Sequence, residues 1–207
     1  MCCRYYIDAS PSFWDAVEAM NRSPLMKRMV EVLEKRAVSE GEVRPTNIVP
    51  VFAPDRDGNR AVYPMLWGFS GKTGPLINAR SETAAEKPTF RESWQKRRCV
   101  VPASWYSEWE HRAETGKSKS GSRFNIKPAS GEPTYLAGLY RLESKDGFRY
   151  PVFTVLTREP AASIRFLHDR MPVILPPDAI DAWIRPEGDP AKILQNAVLD
   201  LTFDKAE

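Results

Sequence analysis

The chain has 207 residues, 42% of them hydrophobic, and its 30 Lys and Arg against 27 Asp and Glu leave a net charge of +3. This length predicts a single domain over residues 1–207, with a core that needs neither a disulfide nor a metal ion to fold. No apolar run approaches the roughly 18 residues of a membrane-spanning helix, and the first residues lack the apolar segment of a secretory signal.

Two helices are predicted near the N-terminus. The first is predicted within residues 11–20 by apolar side chains at helical spacing, namely Phe13, Trp14, Val17 and Met20. A serine followed by a proline at 23–24 predicts the start of the second helix, which we expect to run over residues 25–38 and to stop at Gly41. Its inward-facing side chains are expected to be Met26, Met29, Val30 and Leu33.

Beyond residue 46 the pattern changes to short apolar and alternating runs, which are typical of strands. Strands are predicted over residues 47–53, 61–67, 99–101, 105–109, 122–127, 134–141, 148–157 and 173–175. Short helices are predicted after a cap at Thr89 and over residues 178–183 and 191–199, and the polar stretch 111–121 is predicted to be a mobile hairpin loop. Because strands outnumber helices, we expect an α+β fold: a mainly antiparallel, barrel-like β-sheet core flanked by short helices.

The basic residues are clustered more than the small net charge suggests. Residues 96–98 are all basic, and Lys117 and Lys119 lie close in sequence to Arg123. Such clusters indicate a nucleic-acid surface, but a solvated surface of mixed charge produces the same pattern.

The three cysteines are an odd number, and Cys2 and Cys3 are adjacent while Cys99 is distant. This favours free thiols in a reducing, cytoplasmic compartment, with nucleoid association if the chain is bacterial. With no CxxC motif and only His111 and His168 as histidines, we expect no metal site and no cofactor.

Cys2 has a chemistry that depends on its position. Removal of Met1 would leave an N-terminal cysteine, whose α-amine has a pKa of about 7.7–8.0 and is partly neutral near pH 7. A neutral amine condenses with an aldehyde to a Schiff base, and the adjacent thiol then closes a thiazolidine ring. With Met1 attached this reaction is blocked, and an incidental small residue at position 2 is the alternative interpretation.

Three other segments carry polar side chains suited to catalysis. Asn78 and Arg80 precede a Ser-Glu-Thr sequence and offer an amide and a guanidinium for a sugar and a phosphate, or alternatively form a capping turn. Glu108 lies among aromatic residues, which desolvate a carboxylate and raise its pKa toward neutrality, unless the side chain faces outward from an edge strand. His168, in a Leu-His-Asp-Arg-Met-Pro segment, is a candidate proton shuttle or a structural histidine.

Taken together, these segments resemble the SRAP family of SOS response-associated peptidases, which act on abasic sites in single-stranded DNA. The resemblance covers nearly the whole chain and depends on the order of its motifs. These motifs are Cys2-x-Arg4, Trp67-Gly68, the segment 78–83, Phe90-Arg91, the segment 98–103, Glu108-Trp109 and the segment 168–172.

The resemblance implies roles for the catalytic candidates. Cys2, once exposed, would form the thiazolidine with the ring-opened aldehyde of an abasic site, and Asn78 would orient the cysteine and the sugar. Glu108 would act as acid and base in Schiff-base formation and in crosslink reversal, and His168 would hold or protonate the deoxyribose oxygen. The family also implies autoproteolytic removal of the residues that precede the cysteine.

The resemblance further implies a partner, single-stranded DNA with abasic sites. We expect the protein to be a monomer and to have no membrane partner. Two groups of residues would contact that DNA. The phosphate clamps would be Arg4, Arg80 and Arg170. The side chains that stack on bases or wedge between them would be Trp67, Trp109 and Pro45, since base–aromatic stacking is worth about 1–3 kcal/mol per base.

The chain departs from the family pattern at three places. Cys3 replaces the usual glycine, Tyr106 and Ser107 change the approach to Glu108, and residues 70–72 replace a Pro-Ser-Trp sequence. Two alternative functions therefore stay open: a thiol autopeptidase or N-terminal-nucleophile amidohydrolase, and a non-covalent single-stranded DNA-binding protein.

Overall fold

The computed structural model describes residues 3–8, 10–112 and 119–206. The helices are α1 (Pro11–Arg22), α2 (Pro24–Leu33), α3 (Ser81–Ala84), α4 (Pro88–Lys96), α5 (Ile180–Ile184) and α6 (Pro190–Ile193). The strands are β1 (Arg4–Ile7), β2 (Gly41–Val43), β3 (Ile48–Pro54), β4 (Arg60–Trp67), β5 (Asn78–Arg80), β6 (Arg98–Ala103), β7 (Trp105–Arg112), β8 (Lys119–Pro128), β9 (Thr134–Lys145), β10 (Phe148–Arg158), β11 (Met171–Pro172), β12 (Ile174–Leu175) and β13 (Leu201–Lys205).

Five strands close into a barrel, in the order β10-β4-β3-β6-β9 and back to β10. All of these pairings are antiparallel except β4 with β10. Along each strand the apolar side chains alternate between two clusters, as the two-residue period of a strand requires. Val49, Val51 and Phe153 belong to one cluster, while Ile48 and Val152 belong to the other, which also includes residues of the flanking helices. The predicted α+β fold with a barrel-like core is confirmed.

A second sheet has the order β13-β8-β7-β1-β2 and is antiparallel throughout. Paired residues lie on the same face of a sheet, and alternate residues lie on opposite faces. The face that carries Tyr5, Tyr106 and Ile126 packs into the same core cluster as the barrel, and we call it the inner face. The opposite face, which carries Arg4, Ser107 and Asn125, is the outer face.

The structure corrects the predicted second helix. Helix α2 ends at Leu33 because Glu34 adopts a left-handed conformation with φ 54°, and Gly41 begins strand β2 instead of ending a helix. Met29 and Leu33 are buried as expected, but Val30 is exposed. Trp14 of α1, although at helical spacing with buried residues, is 60% exposed.

The predicted hairpin at 111–121 is partly described. Strands β7 and β8 continue into it, with His111 opposite Ser120 and Arg112 opposite Lys119. Residues 113–118, including Lys117, lie outside the described residues. Among those that the structure describes, no helix is long and apolar enough to cross a membrane.

Candidate functional site

Glu108 lies in the interior of the second sheet. It is on the inner face of β7, between β1 and β8, and only 4% of its surface is exposed. Its Oε1 accepts a hydrogen bond from the backbone N–H of Trp109 at 3.3 Å. The hydroxyls of Tyr5 and Tyr106 are also buried on this face. The alternative of an outward-facing glutamate on an edge strand is therefore wrong.

The N-terminal end of β1 lies beside Glu108. Arg4 pairs with Ser107, and Cys3, which precedes Arg4, is half-buried. Burial raises the pKa of the Cys3 thiol; the Arg4 charge opposes this rise and the Glu108 charge adds to it. Cys3 is therefore a weak source of thiolate near pH 7. Cys2, the predicted nucleophile, lies outside the described residues.

Asn78 is connected to the second sheet through Trp67. It begins β5, which pairs in parallel with β10, and its Oδ1 is buried. The preceding residue, Ile77, accepts a hydrogen bond from Trp67 Nε1 at 3.0 Å, and the Trp67 ring lies 5.3 Å from that of Tyr5 in β1. Trp67 thus connects the strand of Asn78 to the strand that follows Cys3.

The prediction that Trp67 stacks on a DNA base is wrong for this structure. Its side chain is fully buried, and its ring stacks on Phe153 with a centroid distance of 6.1 Å and an interplanar angle of 7°. Both faces of the indole ring lie within the protein core, so no base reaches them. The Trp-Gly motif predicts a role for the residue but does not reveal the direction of its side chain.

The connection from β4 to β5 explains why a glycine follows Trp67. It also shows how the chain accommodates residues 70–72, which depart from the family pattern. Gly68 has φ 119°, and a Cβ there would lie 2.7 Å from Cβ of Pro75, so only glycine fits. Ser70, in the replaced segment, donates its backbone N–H to Glu143 Oε1 at 2.9 Å. The substituted loop is thereby fixed to strand β9.

His168 lies in the loop that precedes β11. Its Nδ1 accepts the backbone N–H of Arg170 at 3.0 Å and also lies 2.5 Å from a carboxylate oxygen of Asp169. The two contacts compete, because the first needs a lone pair on Nδ1 and the second needs a proton there. The backbone contact orients the ring, since its donor is fixed by the main chain, whereas the side chain of Asp169 is 80% exposed.

The loop of His168 packs against the strand that neighbours Glu108. Phe166 contacts Phe124 edge-on at 5.9 Å, and Phe124 is the partner of Glu108 in the pairing of β7 with β8. Through these neighbouring residues, Asn78 and His168 are both connected to the second sheet, on whose inner face Glu108 lies.

The structure contradicts the prediction that Arg170 is available to bind a phosphate of DNA. Its Nη1 and Nη2 bind Glu82 at 2.8 and 2.7 Å, and Nη2 also donates to the carbonyl of Thr157 at 2.7 Å. The guanidinium is committed to this ion pair, so Arg170 is a positioning residue that holds the His168 loop to helix α3. Arg80, by contrast, is exposed, and its side chain donates no hydrogen bond to the described residues.

Replacing Arg170 by glutamine is expected to lower the free energy of unfolding by about 1–2 kcal/mol near pH 7. The hydrogen bonds from Arg170 hold the pKa of Glu82 below its ordinary value, so their stabilisation is present above pH 4.5 and is lost as the pH falls through the native pKa. Denaturant unfolding from pH 7 to 3 should show the difference between R170Q and wild type narrowing below pH 4.5. Arg28→Gln, which breaks an exposed pair with Glu31, is the control; a difference for R170Q that stayed constant with pH would contradict the assignment.

Arg4 and Trp109 lie on the outer face, opposite to Glu108. Arg4 contacts Glu42 at 3.3 Å, and the guanidinium of Arg123 lies over the half-buried ring of Trp109 at 5.5 Å. In the sequence, Arg123 belongs only to a basic cluster, and Glu42 belongs to no motif. The Trp-x-Ser-x-Trp alternation in β7 places Trp105, Ser107 and Trp109 on the same face as these two residues.

Pro45 lies in the turn between β2 and β3. It is partly buried, and the next residue, Thr46, has φ 70° and donates its N–H to the carbonyl of Trp67 at 2.8 Å. Pro45 thus lies next to residues that are anchored to the barrel.

The predicted basic run at 96–98 divides between surface and core. Arg98 is 1% exposed and its guanidinium binds backbone carbonyls, whereas Arg97 forms a surface pair with Glu92 at 3.2 Å. Arg98 is therefore a structural residue and no part of a basic surface. In the described part of the chain no group of three or more His, Cys, Asp or Glu side chains is placed to hold a metal ion.

The described residues form a closed five-stranded barrel joined to a second sheet, with Cys3 beside the buried Glu108. The same fold is found in a crystal structure of a protein from Bacteroides thetaiotaomicron, with a TM-score of 0.73 and 22% identity over 100% of this chain and 92% of that one. A phage-related protein of Bordetella bronchiseptica has a TM-score of 0.72 and 21% identity, over 99% of this chain and 94% of its own.

The sequence matches the family described as SOS response associated peptidase (SRAP) over residues 1–205. It is 33% identical over 181 residues to the abasic site processing protein YoaM of Bacillus subtilis, covering 81% of this chain and 78% of that protein. It is 26% identical over 178 residues to the abasic site processing protein YedK of Escherichia coli, covering 82% of this chain and 78% of that protein. The chain belongs to the SRAP family.

Proposed function

We propose that this chain binds single-stranded DNA and forms a covalent thiazolidine crosslink between Cys2 and the aldehyde of an abasic site, which protects the site during the response to DNA damage. The observation that carries the proposal is the buried Glu108 beside Cys3, the residue that follows the nucleophile. Relatives described as abasic site processing proteins support the same substrate.

The reaction balances with the groups of one N-terminal cysteine. After cleavage of the Met1–Cys2 peptide bond, the neutral α-amine attacks the sugar aldehyde, and the loss of one water gives an imine. The thiolate of Cys2 then forms a bond to the same carbon, and the electron pair of the imine moves to the nitrogen, which takes a proton. The products are the thiazolidine and one water.

The surrounding side chains supply proton transfers and orientation. Glu108, buried among tyrosines, donates a proton to the departing water and accepts one from the thiol. Asn78 orients the amine and the sugar, and His168 protonates the ring oxygen as the deoxyribose opens. Arg4 and Arg80 bind phosphates, while Trp109 and Pro45 contact the flanking bases.

Exchange of a single cysteine tests this proposal. Met1-free wild-type protein, incubated with a single-stranded oligonucleotide that carries one abasic site, should give a heat-stable adduct on a denaturing gel. Cys2→Ala should give no detectable adduct, because both the bond to sulfur and the ring closure are lost. The matched control is Cys3→Ala, which should retain the adduct because the raised pKa of Cys3 keeps it a thiol. An adduct of equal yield from Cys2→Ala would refute the proposal.

A second candidate is a cysteine autopeptidase, since the family is one of SOS response associated peptidases. The same nucleophile would cleave the bond that precedes Cys2, and peptide turnover without DNA would support a wider amidohydrolase activity. Retained DNA binding with no covalent product would instead support a non-covalent binder. For each of these functions we propose a cytoplasmic monomer, associated with the nucleoid if bacterial.

A further inference from the structure

Three arginines surround one glutamate on the outer face of the second sheet. Glu42 Oε1 lies 2.7 Å from Nε of Arg44 and 3.3 Å from Nε of Arg4, and Glu42 Oε2 lies 2.8 Å from Nη1 of Arg123. These residues come from β1, β2 and β8 and from the turn after β2, so the arrangement depends on the tertiary fold. We call these four residues the Glu42 cluster.

The Glu42 cluster carries more positive charge than its carboxylate neutralises. One carboxylate faces three guanidinium groups, so two positive charges remain at the surface. Burial acts to raise the pKa of Glu42, but the hydrogen bond from Arg44 and the charges of Arg123, Arg44 and Arg4 outweigh it, and the pKa is lowered. Glu42 is therefore ionised near pH 7 and occupies the centre of an anion-binding arrangement.

Two of the arginines keep other contacts that would hold them in place without Glu42. Arg123 Nη2 donates to Ser107 Oγ at 3.0 Å, and the same guanidinium lies over the ring of Trp109. Arg4 Nη1 donates to the carbonyl of Cys3 at 3.1 Å. The positions of these guanidinium groups therefore do not depend on the glutamate alone.

A phosphodiester fits the position of the Glu42 carboxylate. Both present two anionic oxygens that accept charge-assisted hydrogen bonds from guanidinium groups. Trp109, beside Arg123, offers a ring on which a neighbouring base can stack. Arg4 follows Cys3 directly in sequence, so an anion bound here would lie close to the cysteine that follows the proposed nucleophile.

We propose that Arg4, Arg44 and Arg123 form a subsite for a phosphate of single-stranded DNA, and that Glu42 occupies this subsite in the free protein. DNA must displace the glutamate to bind, so Glu42 lowers the affinity for intact strands. This inference rests on the proposed function for the identity of its ligand. It adds Arg44 and Arg123 to the DNA-contacting residues, and it makes Glu42 the group that competes with the phosphate.

The test compares Glu42→Gln with Glu31→Gln, which removes the same charge from an exposed ion pair on helix α2. The probe is an oligothymidylate without abasic sites, and its dissociation constant is measured by fluorescence anisotropy over a range of salt concentrations. E42Q should bind about fivefold more tightly than wild type, the effect expected from one partly exposed ion pair. The plot of log affinity against log salt should also steepen by about 0.7, because wild type gives up an internal ion pair for the phosphate contact and E42Q does not.

E31Q should bind within about twofold of wild type, because its charge change is remote from the subsite. Equal affinities of E42Q and E31Q, or weaker binding by E42Q, would overturn the proposal. Arg123→Gln provides a second variant: it should weaken binding, and the E42Q/R123Q double variant should lose most of the gain of E42Q. If the effects of E42Q and R123Q on the dissociation constant were additive in the double variant, Glu42 and Arg123 would not share a ligand.

The crosslink proposal and the subsite proposal can be rejected independently of each other. Intact DNA measures the subsite, whereas the abasic oligonucleotide measures the crosslink. Tighter binding by E42Q with no adduct from wild type would support the subsite and reject the crosslink. An adduct from wild type with no gain from E42Q would reject the subsite alone, and undetectable DNA binding by every variant would reject it as well.

Discussion

Replacing Glu108 by glutamine is expected to slow crosslink formation by about 10²–10⁴-fold, the usual contribution of general acid–base catalysis. Glutamine keeps nearly the same shape in this buried position but neither donates a carboxyl proton nor accepts one as a base. The measurement is the single-turnover rate at which Met1-free protein becomes attached to an abasic oligonucleotide. The rate of adduct reversal should fall as well, because the reverse steps use the same proton transfers.

The matched control for Glu108 is Glu110→Gln, two residues further along the same strand and less buried. It removes the same charge from β7 without touching the carboxylate proposed to act on the substrate. Thermal unfolding of both variants checks that the sheet is intact. An E108Q rate within about twofold of the E110Q rate would show that the buried carboxylate takes no part in proton transfer.

Arg98→Met is expected to lower the free energy of unfolding by about 3–5 kcal/mol, the largest effect on stability among these variants. The Arg98 guanidinium is buried, lies 5.4 Å from the ring of Trp183, and replaces water around carbonyls at the ends of α4 and α5. It donates to the backbone carbonyls of Trp94, Gln95, Trp183, Arg185 and Glu187. Methionine fills much of the volume but leaves these carbonyls without a donor.

The neighbouring residue supplies the control for Arg98. Arg97 carries the same side chain on the surface, paired with Glu92. Arg97→Met should lower the free energy of unfolding by less than about 1 kcal/mol, because exposed ion pairs usually contribute no more than that. Urea unfolding of both variants measures the difference. If both variants lost the same free energy of unfolding, the buried hydrogen bonds of Arg98 would contribute no more than a surface contact.

The local sequence pattern was sufficient for most of the barrel. Strands β3, β4, β9 and β10 lie close to their predicted ranges, because alternating or continuous apolar residues of the observed length favour a strand wherever it is placed. The short strands β1, β2, β5 and β13 were missed. They have three to five residues and are stabilised by pairing with distant segments, a contribution that no local pattern contains.

The sequence by itself determined the family, the fold class and the set of reactive residue types, because the order of short motifs and the strand periodicity are local properties of the chain. The tertiary structure alone decided which of those side chains face the site. It buried Trp67 and Arg98, joined Arg170 to Glu82, and turned Glu108 inward. The physical reason is that burial and ion pairing depend on the register between strands and on the packing of distant segments. Arg97 and Arg98 are adjacent and chemically identical, and only the packing of α5 against β6 makes one a surface charge and the other a part of the core.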